Sequence, residues 1–154
     1  MKYAAFIRGV GPENPNMHGA KLKEFFEDLG FTNVHAVISS GNVVFETDKK
    51  GDINLEKFIE ENLPIKLGFT RAVIIRSQNE LKDLVKADHF KGVKDSPTSK
   101  LNITFLKKGG EVFTIINPEV KGTTKVMYDL EKQYGKDVTT RTLGTIEKIL
   151  KKME

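Results

Sequence analysis

Apolar positions along the chain alternate between runs suited to strands and stripes suited to helices, and the two alternate in a regular order. Tyr3, Ala4, Ala5, Phe6 and Ile7 form an unbroken run of small and apolar residues, as expected of a strand buried on both faces. Leu22, Phe25, Phe26 and Leu29 then recur at i, i+3, i+4 and i+7, the stripe of an amphipathic helix, and Gly30 is placed to close it. Residues 34–38 and 42–46 read as two strands joined by the tight bend Ser39-Ser40-Gly41. Leu55, Phe58, Ile59 and Leu63 repeat the helical stripe, Gly68 ends it, and residues 70–76 predict a fourth strand. The order is β-α-β-β-α-β. An internal echo supports it, since Leu29-Gly30-Phe31-Thr32 returns as Leu67-Gly68-Phe69-Thr70. Two βαβ halves with right-handed crossovers predict an α+β fold that begins with a ferredoxin-like plait over residues 1–77.

The pattern continues with sparser strands. Ser77-Gln78-Asn79-Glu80 is a capping box opening a helix with Leu81, Leu84 and Val85 inward. Residues 88–100 read as a long loop, and 101–106 and 112–116 as strands joined by a glycine-bearing hairpin at 107–111. A helix carrying Val126, Met127, Leu130 and Tyr134 is expected to end at Gly135. An extended piece at 137–140 and a last helix bearing Leu143, Ile146, Ile149, Leu150 and Met153 complete the chain. Residues 78–154 thus predict a smaller α+β subdomain, with a second plait-like unit as one way to build it. Since the first strand is apolar on both faces, this second half is expected to cover the face that the two early helices leave open.

Composition narrows the function classes. The 154 residues are 38% hydrophobic and 30% charged, ordinary values for a soluble globular protein. No apolar run approaches the roughly 20 residues that cross a bilayer, and Arg8 interrupts an N-terminal run too short for a signal peptide. The expected location is cytoplasmic, without membrane association. The absence of cysteine excludes disulfides, thiolate metal sites and a cysteine nucleophile. The net charge of +4 falls wholly in residues 78–154, with fifteen basic against eleven acidic side chains. That excess favours acidic or phosphate-bearing partners, and it equally serves solubility.

In a plait with strands ordered 4-1-3-2, the end of the first strand meets the bend between the second and third. Arg8 and Gly9 would then lie beside Ser39, Ser40, Gly41 and Asn42, with Asn16 at the start of the first helix on the same edge. Hydrogen-bond donors, a helix N-terminus and an arginine in one place suit a carboxylate or phosphate. The plainer alternative is turn chemistry, with Gly41 and Asn42 tolerating positive φ, the serines bonding their own backbone, and Arg8 pairing with a surface acid.

These residues also carry a resemblance. Arg8-Gly9-Val10, the helix ending Leu29-Gly30-Phe31-Thr32-Asn33-Val34, and Ile38-Ser39-Ser40-Gly41-Asn42-Val43-Val44-Phe45 resemble the start of the DUF1697 family, bacterial proteins of unknown function. The family's C-terminal Thr-x-Arg-Asn-Trp-x-Thr pattern is partly echoed by Thr139-Thr140-Arg141-Thr142-Leu143-Gly144-Thr145, with Thr142-Leu143 where the family has Asn-Trp. The resemblance implies two small plait-like α+β subdomains and no assigned activity. It adds Arg141 to the candidate ligand-binding set of Arg8, Gly9, Asn16, Ser39, Ser40, Gly41 and Asn42.

Other chemistries find little support. His18, His35 and His89 have no second ligand at i+3 or i+4, so neither metal nor cofactor is expected. Gly9-Val10-Gly11 lacks the third glycine of a dinucleotide fingerprint. Asn42 and Val44 stand where an RNA-binding sheet would present stacking aromatics, which disfavours nucleic acid. The leading expectation is a binding module for a small anionic or phosphate-bearing ligand, with catalysis undecided and catalytic residues unassigned. A metal-free enzyme acting on such a ligand, and an interaction protein whose plait edge pairs with a partner or a second copy, are the alternatives.

Overall fold

The computed structural model describes residues 1–9, 15–38, 41–48, 54–107, 109–117, 129, 132–135 and 137–154. Within them the chain is a mixed α+β structure built on two antiparallel sheets. The first sheet has the order β2-β3-β1-β4, with β1 (Lys2–Ile7), β2 (Thr32–Ala36), β3 (Asn42–Glu46) and β4 (Val73–Ser77). Ala4 on β1 faces Val44 on β3 to one side and Arg76 on β4 to the other. The connections are α1 (Gly19–Asp28), preceded by a 3-10 turn at Pro15–Met17, and α2 (Leu55–Lys66).

The alternation within β1 explains the layering. Ala5 and Ile7 point to the side covered by both helices, where they meet Leu22, Phe25, Phe26, Ile59 and Leu63. Ala4 and Phe6 point the other way and pack with residues of the second half. Phe31 and Phe69, the echoed pair after Gly30 and Gly68, both enter the first of these cores. Their glycines have φ of 94° and 77°, left-handed values that stop a helix cheaply only without a Cβ.

The second sheet runs β6-β5-β7, with β5 (Lys100–Leu106), β6 (Glu111–Ile116) and β7 (Val138–Thr142). Leu101, Ile103 and Phe105 of β5 join Ala4, Phe6, Val44 and Ile74 in one buried cluster. At its centre Phe6 and Phe105 stack with ring centroids 4.6 Å apart and planes 14° from parallel. Such a pair contributes about 0.5–1.5 kcal/mol beyond its buried area. Among the described residues, α3 (Gln78–Lys86) and α4 (Leu143–Met153) pack on this side. The capping box at the start of α3 is closed in both directions, Glu80 N–H to Ser77 Oγ and Ser77 N–H to Glu80 Oε1. Thr142 caps α4 by accepting from Thr145 N–H.

Strand ends differ from the pattern-based expectation where backbone geometry intervenes. β2 starts at Thr32 and its register shifts before His35, with Asn33 at a φ of 51°. It ends at Ala36, because Ile38 takes a φ of 56° and turns the chain toward β3. β4 begins only at Val73, so residues 70–72 lie outside the strand. Of the helix expected to carry Val126, Met127, Leu130 and Tyr134, residues 129 and 132–134 are described and helical, and Gly135 follows with a φ of 67°, whereas Val126, Met127 and Leu130 lie outside the described residues, as do Ser39 and Ser40.

β4 is an edge strand whose outward N–H groups are all engaged. Val73 N–H donates to Glu60, Ile75 N–H to Glu56, and Ser77 N–H to Glu80. Burial outweighs these contacts at Glu56 and raises its pKa above the ordinary 4.5, against the lowering effects of the Ile75 bond and of Lys107 and Arg76.

Candidate functional site

The end of β1 and the bend before β3 finish side by side. Ile7 N–H donates to the Gly41 carbonyl at 2.8 Å, and Phe6 is in register with Asn42. On the other side Arg8 N–H donates to the Ala72 carbonyl at 3.0 Å, the last rung toward β4. Gly9 then turns the chain away with a φ of 66°. Three chain segments therefore converge at the C-terminal end of β1.

Two of the candidate residues there hold the two sheets together. Asn42 is fully buried, and its amide donates to the Val37 carbonyl while its Oδ1 accepts from Arg141 Nε at 2.6 Å. Arg141 reaches across from near the end of β7 and also donates to the Ile7 carbonyl, to Thr139 Oγ1 and to the Thr140 carbonyl. Its guanidinium lies 5.6 Å from the centroid of the Phe6 ring. Burial lowers its pKa to about 10, which leaves it charged at neutral pH. The other end of the aromatic stack carries a counterpart. Arg76 sits 5.5 Å from the Phe105 centroid, donates to the Leu106 and Gly110 carbonyls, and pairs with Glu111 at 3.1 Å. Each half thus sends one arginine into the other, Arg76 buried and Arg141 half-buried.

Arg8 and Gly9 instead border a cleft of about 480 Å³, together with Glu60, Thr70, Arg71 and Ala72. Arg8 Nη1 donates to the Val138 carbonyl at 3.0 Å and the Gly135 carbonyl at 3.4 Å, which ties the cleft to the chain entering β7. Arg71 lies directly against Gly9. A Cβ at position 9 would come within 3.3 Å of Arg71 Nε, so this glycine supplies both the left-handed turn and the space for the arginine. Arg71 Nη1 donates to the Thr70 carbonyl, its guanidinium stands 5.7 Å from the Phe69 ring centroid, and no described carboxylate lies within ion-pair distance of it. Glu60 accepts from Val73 N–H and, through both carboxylate oxygens, from Lys107 Nζ. Lys107 N–H in turn donates to the Asp137 carbonyl.

Of the sequence-level candidates, Arg8 and Gly9 line this cleft, while Gly41, Asn42 and Arg141 make contacts beside it at the end of β1. Asn16 is placed elsewhere: its amide donates to the Leu67 carbonyl, and it borders a separate hollow with Lys21, Glu24, Asp28 and Lys66. Arg71, Glu60 and Lys107 were not singled out by the sequence pattern. For Arg71 a signal existed, since the repeat of Gly-Phe-Thr at 68–70 marks the chain's return to the same sheet end. Among the described residues no group of three His, Asp or Glu is arranged to hold a metal ion. No described helix is long and apolar enough to cross a membrane.

Comparison with known proteins agrees with this architecture. The sequence model of a family described as "Protein of unknown function (DUF1697)" matches residues 1–134. The partial echo at 139–145 lies beyond the matched span. No curated protein matches the sequence. Among solved structures, the conserved bacterial protein SP0830 from Streptococcus pneumoniae is similar with a TM-score of 0.77 at 17% identity. The similarity covers 99% of this chain and 98% of that one, which shows a shared fold.

Proposed function

The chain belongs to the DUF1697 family, proteins of unknown function, and on that premise we propose that it is a cytoplasmic binding module for a small anionic or phosphate-bearing ligand. The observation that carries the reading is the cleft in which Arg8 and Arg71 flank Gly9. A guanidinium presents planar, paired donors that match carboxylate and phosphate oxygens. Its size, about 480 Å³, falls in the range of small-molecule sites. Asn42 and Arg141 take part as the scaffold that fixes the end of β1, and Arg8 and Gly9 as ligand contacts. The ferredoxin-like reading of residues 1–77 is supported by the β2-β3-β1-β4 order with both helices on one face. A division at 77/78 is supported by β4 ending at Ser77 as α3 begins.

The test is thermal unfolding of the full chain in inorganic phosphate and in citrate, at matched ionic strength, beside Arg71→Gln. Ligand at a hundredfold over its Kd stabilises by about 2.7 kcal/mol, a rise in Tm of roughly 5–10 °C for a chain of this size. Arg71→Gln should lose most of that rise. No shift with either anion, or an equal shift in Arg71→Gln, overturns the proposal.

A further inference from the structure

The two sheets end in β2, β4, β6 and β7, and β6 differs from the other three. β4 is engaged by glutamates along its outer side. β2 is broken by its register shift and the left-handed Asn33. β7 turns Val138 and Thr140 away from β5, and their carbonyls accept from Arg8 and Arg141. In β6, Leu106 N–H donates to the Gly110 carbonyl across the hairpin, so alternation along β5 points Thr104 and Asn102 toward β6 as well. Their register partners Val112 and Thr114 face inward, which leaves the backbone groups of Glu111, Phe113 and Ile115 facing out. Among the described residues, no hydrogen bond reaches those outward N–H and carbonyl groups. The strand is apolar and rich in β-branched residues, without proline, and Glu111 is its one charged residue. Ile115 is 48% exposed. Phe113, on the same face, is fixed by a stacked His89 at 4.0 Å between centroids and an edge-on Phe90 at 5.7 Å.

We infer that β6 is a dimerisation edge, which pairs antiparallel with β6 of a second copy around a two-fold axis at Phe113. That register alone matches each outward residue with another of the same set: Phe113 with Phe113, and Glu111 with Ile115 in both directions. Each such pair exchanges both of its N–H···O bonds. The charges suit a second copy. The two Glu111 carboxylates stand four residues, roughly 14 Å, from direct opposition, and each is held at 3.1 Å by Arg76 of its own chain. A two-fold contact uses the edge of both copies, so assembly closes at the dimer. One short strand buries less than the about 1,200 Å² of a standard interface, so the dissociation constant should be on the order of 10–100 µM.

Sedimentation velocity of the full chain over a concentration series spanning that range tests this, beside Ile115→Glu and Ile115→Lys. The wild type should pass from monomer to dimer. Ile115→Glu sets a carboxylate against Glu111 of the other copy and should weaken the dimer about tenfold, whereas Ile115→Lys sets opposite charges together and should preserve or tighten it. Both place a charge at the same exposed position, so a non-specific apolar contact would weaken equally in both. Residue-resolved hydrogen exchange supplies a second readout. The amides of Phe113 and Ile115 should gain protection as the dimer forms, while those of Val112 and Thr114 are protected throughout. A chain that stays monomeric, assembly beyond the dimer, equal weakening in the two variants, or a dimer that leaves the Phe113 and Ile115 amides unprotected overturns the inference. A monomer whose β6 amides become protected only on adding an extended peptide of unrelated sequence assigns the edge to a foreign strand and overturns it too. If Ile115→Glu does not fold, the wild-type series, Ile115→Lys and the exchange rates still decide the matter.

Discussion

The contact between Arg141 and Asn42 joins residues 99 positions apart and is the sharpest place to test how the two sheets are held. Arg141→Met keeps an unbranched apolar stem but removes every donor. Two acceptors in the first sheet, Asn42 Oδ1 and the Ile7 carbonyl, lose their partner, and each hydrogen bond from a charged group is worth about 1.5–3 kcal/mol. The contact with Phe6 adds about 1–2 kcal/mol in a desolvated setting. Against this stands the cost of burying the guanidinium, about 3 kcal/mol for a pKa lowered to about 10. The balance predicts a loss of about 3 kcal/mol for Arg141→Met. Arg141→Lys should fare little better, because one ammonium cannot serve acceptors spread around a planar fork. Urea unfolding of Arg141→Met, Asn42→Ala and the double variant closes a cycle whose coupling should be about 2 kcal/mol. Midpoints should move with the slope unchanged. A coupling below about 0.5 kcal/mol, the scatter expected of independent sites, refutes the claim that this contact clamps the halves.

Gly9→Ala places a side chain in left-handed backbone and pushes against Arg71, so it should cost roughly 1–2 kcal/mol and also weaken phosphate binding; unchanged stability and affinity in titration would contradict the role assigned to Gly9. Glu56→Gln keeps an acceptor for Ile75 N–H and removes a charge whose burial is unfavourable. Because the folded state raises the Glu56 pKa, the wild type gains stability as pH falls through that folded value, and the gain is complete below the ordinary 4.5. Glu56→Gln should therefore raise the urea midpoint at pH 7 and lose its advantage below about pH 4.5. An advantage that persists at pH 3 would point to another cause.

The first sheet was readable because its signals are local and mutually consistent. Helical stripes, two Leu-Gly-Phe-Thr stops and a doubly apolar first strand all demand the same layering, and Phe31 and Phe69 enter one core as that repeat implies. The convergence of Arg8, Gly41 and Asn42 followed from strand order alone. What was not readable depends on contacts between distant segments. Arg71 sits just outside β4, and only the packing against Gly9 distinguishes it from any surface arginine. Lys107 falls in a hairpin that reads as a solvated turn, and its pairing with Glu60 spans 47 positions with no trace in local periodicity. Arg141 stands in register with Ile103 of β5, and only the placement of the second sheet against the first directs it to Asn42. Its weak motif drew attention to the residue, but not to its task.

The three glutamates along the outer side of β4 have a further effect. A bare flank of this kind invites another chain to add its own backbone and extend the sheet indefinitely. Here every amide that an incoming strand would need already faces an acceptor from α2 or from the first turn of α3. Growth from that side would first have to strip away Glu56, Glu60 and Glu80, and moving Glu60 would dismantle the wall of the arginine cleft in the same stroke.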